Sequence, residues 1–148
     1  MINFNSENVA LPSVDFEAVR SWIAEVAASH GFKVGRISYL FCDDSYILEA
    51  NRKFIDHDYY TDIITFDYTR RDTIGGDVMI SLDTVRSNAL LVGEPYAREL
   101  MRVIIHGVLH LCGIDDKGPG EREIMEANED AALAMLDRSW PQLITEEK

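Results

Sequence analysis

The stretch from Pro95 to Gly113 limits the folds open to this chain more than any other. Pro95 suits the first turn of a helix, where a missing N–H costs nothing. Gly113 suits the position just past the end, where left-handed dihedrals are needed. Between them the spacing predicts one long helix, running to Cys112, with two unlike stripes. Leu100, Val103, Ile104, Gly107 and Leu111 make an apolar stripe, while Arg98, Arg102, His106 and His110, at successive steps of four, make an ionisable one. A helix divided in this way lies centrally, with its apolar stripe on a core and its ionisable stripe along a cleft.

The other elements supply the surface for it. Met1 to Phe4 reads as a short strand. Asp15 to His30 reads as an amphipathic helix, with Phe16, Val19, Ile23, Val26 and Ala27 at helical spacing and Gly31 as its stop. Gly35 to Phe41 alternates as a strand that places Ile37, Tyr39 and Phe41 on one face. Asp43 and Asp44 are good N-caps for a second helix through Ile47, Leu48, Asn51 and Phe54. Asp62 to Tyr68 is rich in β-formers, Gly75-Gly76 reads as a turn, and Asp77 to Leu82 reads as a further strand. A short helix follows, ending at Gly93. Past the Lys117-Gly118-Pro119-Gly120 loop, Glu121 to Leu136 is a final helix, with Ile124, Met125, Asn128, Ala132, Leu133 and Leu136 at matching spacing. The order gives an α/β fold in the broad sense (α+β): one domain over 1–148, a small mixed sheet of about four strands covered by helices, and a metal cleft at the long central helix. The acidic tail, frayed from about residue 139, ends in Glu146, Glu147 and Lys148.

Composition narrows the class. The 148 residues suffice for one core without disulfides, and Cys42 and Cys112 read as two buried thiols in a reducing compartment. Lys and Arg number 14 against 26 Asp and Glu, a formal net charge of −12. That charge opposes a non-specific grip on phosphate backbones or anionic membranes, though a local basic groove or a metal ion could still supply positive charge. The N-terminus lacks the pattern of a secretory signal, and no apolar run approaches the ~20 residues that span a bilayer, so the expected setting is the cytoplasm.

The chemistry concentrates in His106-Gly107-Val108-Leu109-His110-Leu111-Cys112-Gly113-Ile114-Asp115-Asp116. Two histidines four apart on a helix stack on one face and can share a metal ion. A glycine turn can bring Asp116 back to them, and two His plus one carboxylate with an open position is a catalytic zinc shell. The layout resembles the zinc-protease pattern, with one departure that decides the chemistry. The protease general base is a Glu directly after the first His, and here that position is Gly107. Peptide hydrolysis of that type is therefore disfavoured. Cys112, two residues past His110, is expected to face away into the core. Arg98 and Arg102 could hold substrate phosphates near the ion, or could instead be helix charges paired with Glu94 or Glu99.

Two further segments stand upstream: Asn51-Arg52-Lys53-Phe54 with Asp58-Tyr59-Tyr60-Thr61-Asp62-Ile63-Ile64-Thr65-Phe66, and Gly76-Asp77-Val78-Met79-Ile80-Ser81. Tyr59 and Tyr60 could stack on bases or pack at a strand entry. In this order, ahead of a final amphipathic helix, the three segments resemble the YbeY family of bacterial endoribonucleases, from the first helix to about Leu136. The His-Gly-Val-Leu-His-Leu-Cys-Gly run carries most of the likeness. The resemblance implies a zinc-dependent, single-strand-specific endoribonuclease with one Zn2+ per chain on His106, His110 and Asp116. It implies roles in maturing the 3′ end of 16S rRNA and in ribosome quality control. Its implied partners are rRNA, the small ribosomal subunit and its proteins, with an assembly GTPase as a further one, and no membrane.

Two departures from the family pattern bear on catalysis. The third ligand is usually histidine, and Asp116 stands there; a carboxylate ligates zinc at similar distance and lowers the charge of the shell by one. An arginine usually follows the aromatic of the Asn-x-x-aromatic stretch, and Ile55 stands there. A cation for the transition state then has to come from Arg52, Arg98 or Arg102. The general base is open between Asp115 and Asp62. A rival reading is a ribosome-assembly factor with a zinc site but no catalysis, which a metal-dead variant still active in ribosome maturation would support.

Overall fold

The computed structural model describes residues 1–55 and 62–136, with the side chains of Phe54 and Ile55 outside that description. Among the described residues four strands and five α-helices follow in the order β1 (Ile2–Ser6), α1 (Phe16–Ser29), β2 (Lys33–Cys42), α2 (Asp44–Ala50), β3 (Ile63–Asp67), β4 (Thr73–Ser81), α3 (Leu82–Val92), α4 (Tyr96–Leu111) and α5 (Glu121–Leu136). The sheet runs β1-β2-β4-β3. The β1–β2 and β2–β4 pairs are parallel, and β3 lies antiparallel along β4 as an edge. The expected fold class is therefore the observed one.

Local chemistry sets the boundaries. The Asp15 and Asp43 carboxylates accept from the Ala18 and Tyr46 amides and start α1 and α2. The predicted second helix keeps its α form only to Ala50; Asn51–Ile55 continues it as a π-helical turn. Ser81 caps α3 through Thr84 N, and its hydroxyl also donates to Asp44 Oδ1 at 2.6 Å.

Gly75-Gly76 is not a turn. β4 runs straight through it, and the β3–β4 hairpin turns at Arg71-Asp72 instead, where Arg70 and Thr73 exchange backbone bonds of 3.0 and 2.9 Å and Arg71 takes φ 56°. The glycine at 76 serves close approach. A Cβ there would run into the Phe66 carbonyl oxygen and lie 3.0 Å from Leu111 Cδ2. A glycine pair inside a strand carries the same composition signal as a turn, which misleads sequence reading here.

Most of the core lies on one face of the sheet. Ile37, Tyr39, Phe41, Ile74, Val78 and Ile80 face residues of α1, α3, α4 and α5. The other face carries a smaller cluster of Cys42, Ile47, Ala50 and Ile64 under α2. Two buried side chains fix helix positions. Tyr39 Oη–H donates to the Ile104 carbonyl at 2.9 Å, which pins α4 to β2, and Trp22 Nε1–H donates to Ala132 O at 2.8 Å, which pins α5 to α1. The inward stripe of α5 differs from the one read from sequence. Met125, Glu129, Ala132, Leu133 and Leu136 are buried, while Ile124 is 56% exposed and Asn128 is intermediate. Among the described residues no helix is long and apolar enough to cross a membrane.

Candidate metal centre

α4 places its histidines by helical geometry, and its end places the carboxylate. Gly113, at φ 92°, follows the Cys112 cap. Gly113 N donates to His110 O at 2.9 Å and Ile114 N to Leu109 O at 3.0 Å, the two bonds of a Schellman ending. The chain reverses there and carries Asp116 back over the helix. His106 Nε2 lies 3.3 Å and His110 Nε2 3.6 Å from Asp116 Oδ2. One donor atom from each of the three residues falls within 4.8 Å of the others, a group that could hold a metal ion. The rings of His106 and His110 meet edge to face at 4.5 Å.

The donor set suits a divalent cation. Asp116 Oδ1 is buried and has no hydrogen-bond partner among the described residues. Burial, then the neighbouring His106, pushes the His110 imidazole below its usual pKa, which favours the neutral ring that ligates metals. Two imidazole nitrogens and a carboxylate oxygen directed at one another match a zinc-type shell with room for a further ligand.

The group opens on a cavity of about 480 Å³ between β3 and α4, lined in part by Asp62, Thr65, Asp67, Arg102, Asp115 and Lys117. Alternation along the edge strand places Ile63, Thr65 and Asp67 on the α4 side. Burial raises the Asp62 carboxyl above the usual carboxylate range, opposed by Arg102 and His106. Gly107 points elsewhere. A Cβ on it would meet Val78 Cγ1 at 3.1 Å and Ile63 Cδ1 at 3.3 Å, so the position that bears the protease base is turned onto the sheet.

The three arginines singled out from sequence differ in their surroundings. Arg102 lines the cavity but is held by two carboxylates: Nε donates to Glu99 Oε1 and Nη1 to Glu129 Oε1, both at 3.0 Å, and Nη2 contacts Glu99 Oε2. The hydrogen bonds to Glu99, outweighing burial, keep its guanidinium charged. Arg98 pairs with Glu94 at 3.9 Å and lines a separate groove with Glu126 and Asp130. Arg52 is exposed on the π-helical turn and is not among the cavity-lining residues. Asp58, Tyr59, Tyr60 and the tail lie outside the described residues, as does the side chain of Ile55. Cys112 is half-buried against the core, not fully buried as expected, and is no part of the metal group.

Sequence reading missed Lys117 and Glu129, and named Glu99 only as a partner for the helix arginines. Lys117 lines the cavity beside Asp116, and no ion pair links it to a described residue. Glu99 and Glu129 are 4% and 2% exposed, and Glu129 Oε2 lies 2.6 Å from His106 Nδ1. The available signal was a single Glu at 129 in the otherwise apolar stripe of α5, since a carboxylate so placed needs a partner.

Comparison with known proteins follows the same lines. The chain is 61% identical over 136 residues to the endoribonuclease YbeY of Phocaeicola vulgatus, covering 92% of this chain and 99% of that one. It is 59% identical over 135 residues to that of Parabacteroides distasonis, covering 91% and 95%. The solution structure of a Thermotoga maritima protein shares the fold, with a TM-score of 0.66 at 22% identity over 100% of this chain and 99% of that one. A model of the family described as endoribonuclease YbeY matches residues 1–137, and the chain belongs to that family.

Proposed function

We propose that this endoribonuclease holds one zinc ion on His106, His110 and Asp116 and hydrolyses phosphodiester bonds of single-stranded ribosomal RNA in the cavity between β3 and α4. The observation that carries the reading is the convergence of three donors on one point of that cavity, with Asp116 Oδ1 buried and unpartnered. Zinc held there supplies a Lewis acid for a phosphate oxygen and lowers the pKa of water.

The chain's own residues supply the rest. Asp62 sits in the same cavity with its proton affinity raised by burial, and it takes the proton of the attacking water; exposed Asp115 is the alternative acceptor. Arg102 is engaged by Glu99 and Glu129, so among the described residues Lys117 is the cavity cation available to a phosphate. Arg52 and Arg98 would meet RNA only beyond the cavity. The described lining carries four carboxylates, Asp62, Asp67, Asp115 and Asp116, against Arg102 and Lys117. A divalent ion balances that excess and makes the cavity acceptable to a polyanion on a chain of net charge −12. Single-strand preference follows if the cleft between β3 and α4 is too narrow for a duplex, which the comparison of single-stranded with duplex RNA reads. The expected setting is the cytoplasm, at the 3′ end of 16S rRNA on the small ribosomal subunit, with an assembly GTPase as a further partner and residues 1–148 acting as one domain.

The test measures zinc per chain and cleavage of single-stranded against duplex RNA for wild type and His110→Ala. The reading expects one zinc and single-strand cleavage in wild type, and loss of both in the variant. Equal cleavage by the two proteins would overturn it.

A further inference from the structure

Glu129 occupies an unusual place. It lies on the inward stripe of α5, among Met125, Ala132, Leu133 and Leu136, with 2% of its surface exposed. A carboxylate buried that far needs compensation. Arg102 provides part of it, donating from Nη1 to Glu129 Oε1 at 3.0 Å. Arg102 is itself anchored one turn earlier by Glu99, 4% exposed. The other Glu129 oxygen meets His106 Nδ1 at 2.6 Å.

That contact decides which ring nitrogen carries the proton. An ionised carboxylate only accepts, so Nδ1 must donate. Nε2 also has a carboxylate beside it, Asp116 Oδ2 at 3.3 Å, but the shorter Glu129 contact takes the single proton of the neutral ring and leaves Nε2 its lone pair on the Asp116 side of the cavity. Free imidazole has no such bias, and a ring protonated at Nε2 could not ligate from that atom. A carboxylate behind a metal-bound histidine also increases the basicity of the ring.

We propose that Glu129, clamped by Arg102, is a positioning residue of the metal centre: it holds His106 as the Nδ1–H tautomer and directs Nε2 to the ion. The proposal rests on the metal reading above, but its central claim, the tautomer, can be read without metal or RNA.

The experiment uses the full chain. Long-range 1H–15N spectra of metal-free protein, at a pH where the ring is neutral, report the His106 tautomer in wild type and Glu129→Ala. Zinc affinity is measured by chelator competition for wild type, Glu129→Ala, Glu129→Gln and Leu133→Ala, the last loosening the same helix without touching His106. Wild type is expected to show Nδ1–H, and Glu129→Ala to move population to Nε2–H. Zinc binding should weaken by about tenfold to 100-fold in Glu129→Ala. It should weaken less in Glu129→Gln, whose amide oxygen still accepts, and hardly at all in Leu133→Ala. An Nε2–H tautomer in wild type would overturn the proposal even if Glu129→Ala does not fold. So would zinc binding by Glu129→Ala no weaker than by Leu133→Ala. Wild type that binds no zinc while showing Nδ1–H would sink the metal reading and leave the clamp intact.

Discussion

Replacing Gly76 by Ala tests how the edge strand is held beside the metal centre. The new Cβ would run into the Phe66 carbonyl oxygen, with Leu111 Cδ2 at 3.0 Å. That oxygen belongs to the backbone and cannot rotate aside. β3 would have to move off β4 by about 1 Å to restore ordinary contact. Overpacking in a well-packed interior costs about 1–3 kcal/mol, and weakening one ladder bond adds about 1 kcal/mol. The expected loss is thus about 2–4 kcal/mol, a large part of the roughly 5–15 kcal/mol that holds a domain together. Urea unfolding should show a lower midpoint with an unchanged slope. Because Ile63, Thr65 and Asp67 border the cavity, zinc affinity and RNA cleavage should fall as well. Gly118→Ala is the control. Its Cβ would approach Glu121 Oε1 at 2.7 Å, the end of a side chain that can swing away at the cost of one hydrogen bond, the one it accepts from Gly118 N. A Gly76→Ala loss below about 1 kcal/mol, or no larger than that of Gly118→Ala, would refute the close-approach argument.

Three further outcomes are expected. Lys117→Ala should raise KM for single-stranded RNA and flatten its salt dependence while leaving zinc content at one per chain; an unchanged KM would remove Lys117 from phosphate binding. Burial raises the Asp62 carboxyl, so the folded metal-free protein binds its proton more tightly than the unfolded chain. Stability attached to this group is present below the unfolded carboxylate pKa and is lost as pH rises through the raised folded value. Asp62→Asn should therefore stabilise the metal-free protein at neutral pH and change little in acid, as pH-dependent denaturation would report. Burial raises Cys42 to about 12 and Cys112 to about 11, so both should resist alkylation at pH ~8 in the native state and react on unfolding. Rapid labelling of Cys42 in the native protein would contradict its burial.

Much of this protein is determined by local chemistry and was open to sequence reading. The His106–His110 pair follows from helical periodicity, and the return of Asp116 follows from a glycine that permits the Schellman ending at Gly113. The caps at Asp15, Asp43 and Ser81 are local in the same way, because side chain and amide lie three residues apart.

What tertiary structure alone decided involves residues distant in the chain. Gly76 looked like a turn because composition cannot distinguish a glycine that bends the chain from one that lets another strand's carbonyl come close. Arg102 stood on the histidine stripe, open between phosphate binding and a pairing with Glu99 or Glu94; Glu99 does pair with it, and α5 adds Glu129 across 27 residues. The same fold turns Glu129 to His106 and places Asp62 and Lys117 in one cavity. A charge's function depends on its neighbours in space, and no spacing rule relates residue 102 to residue 129.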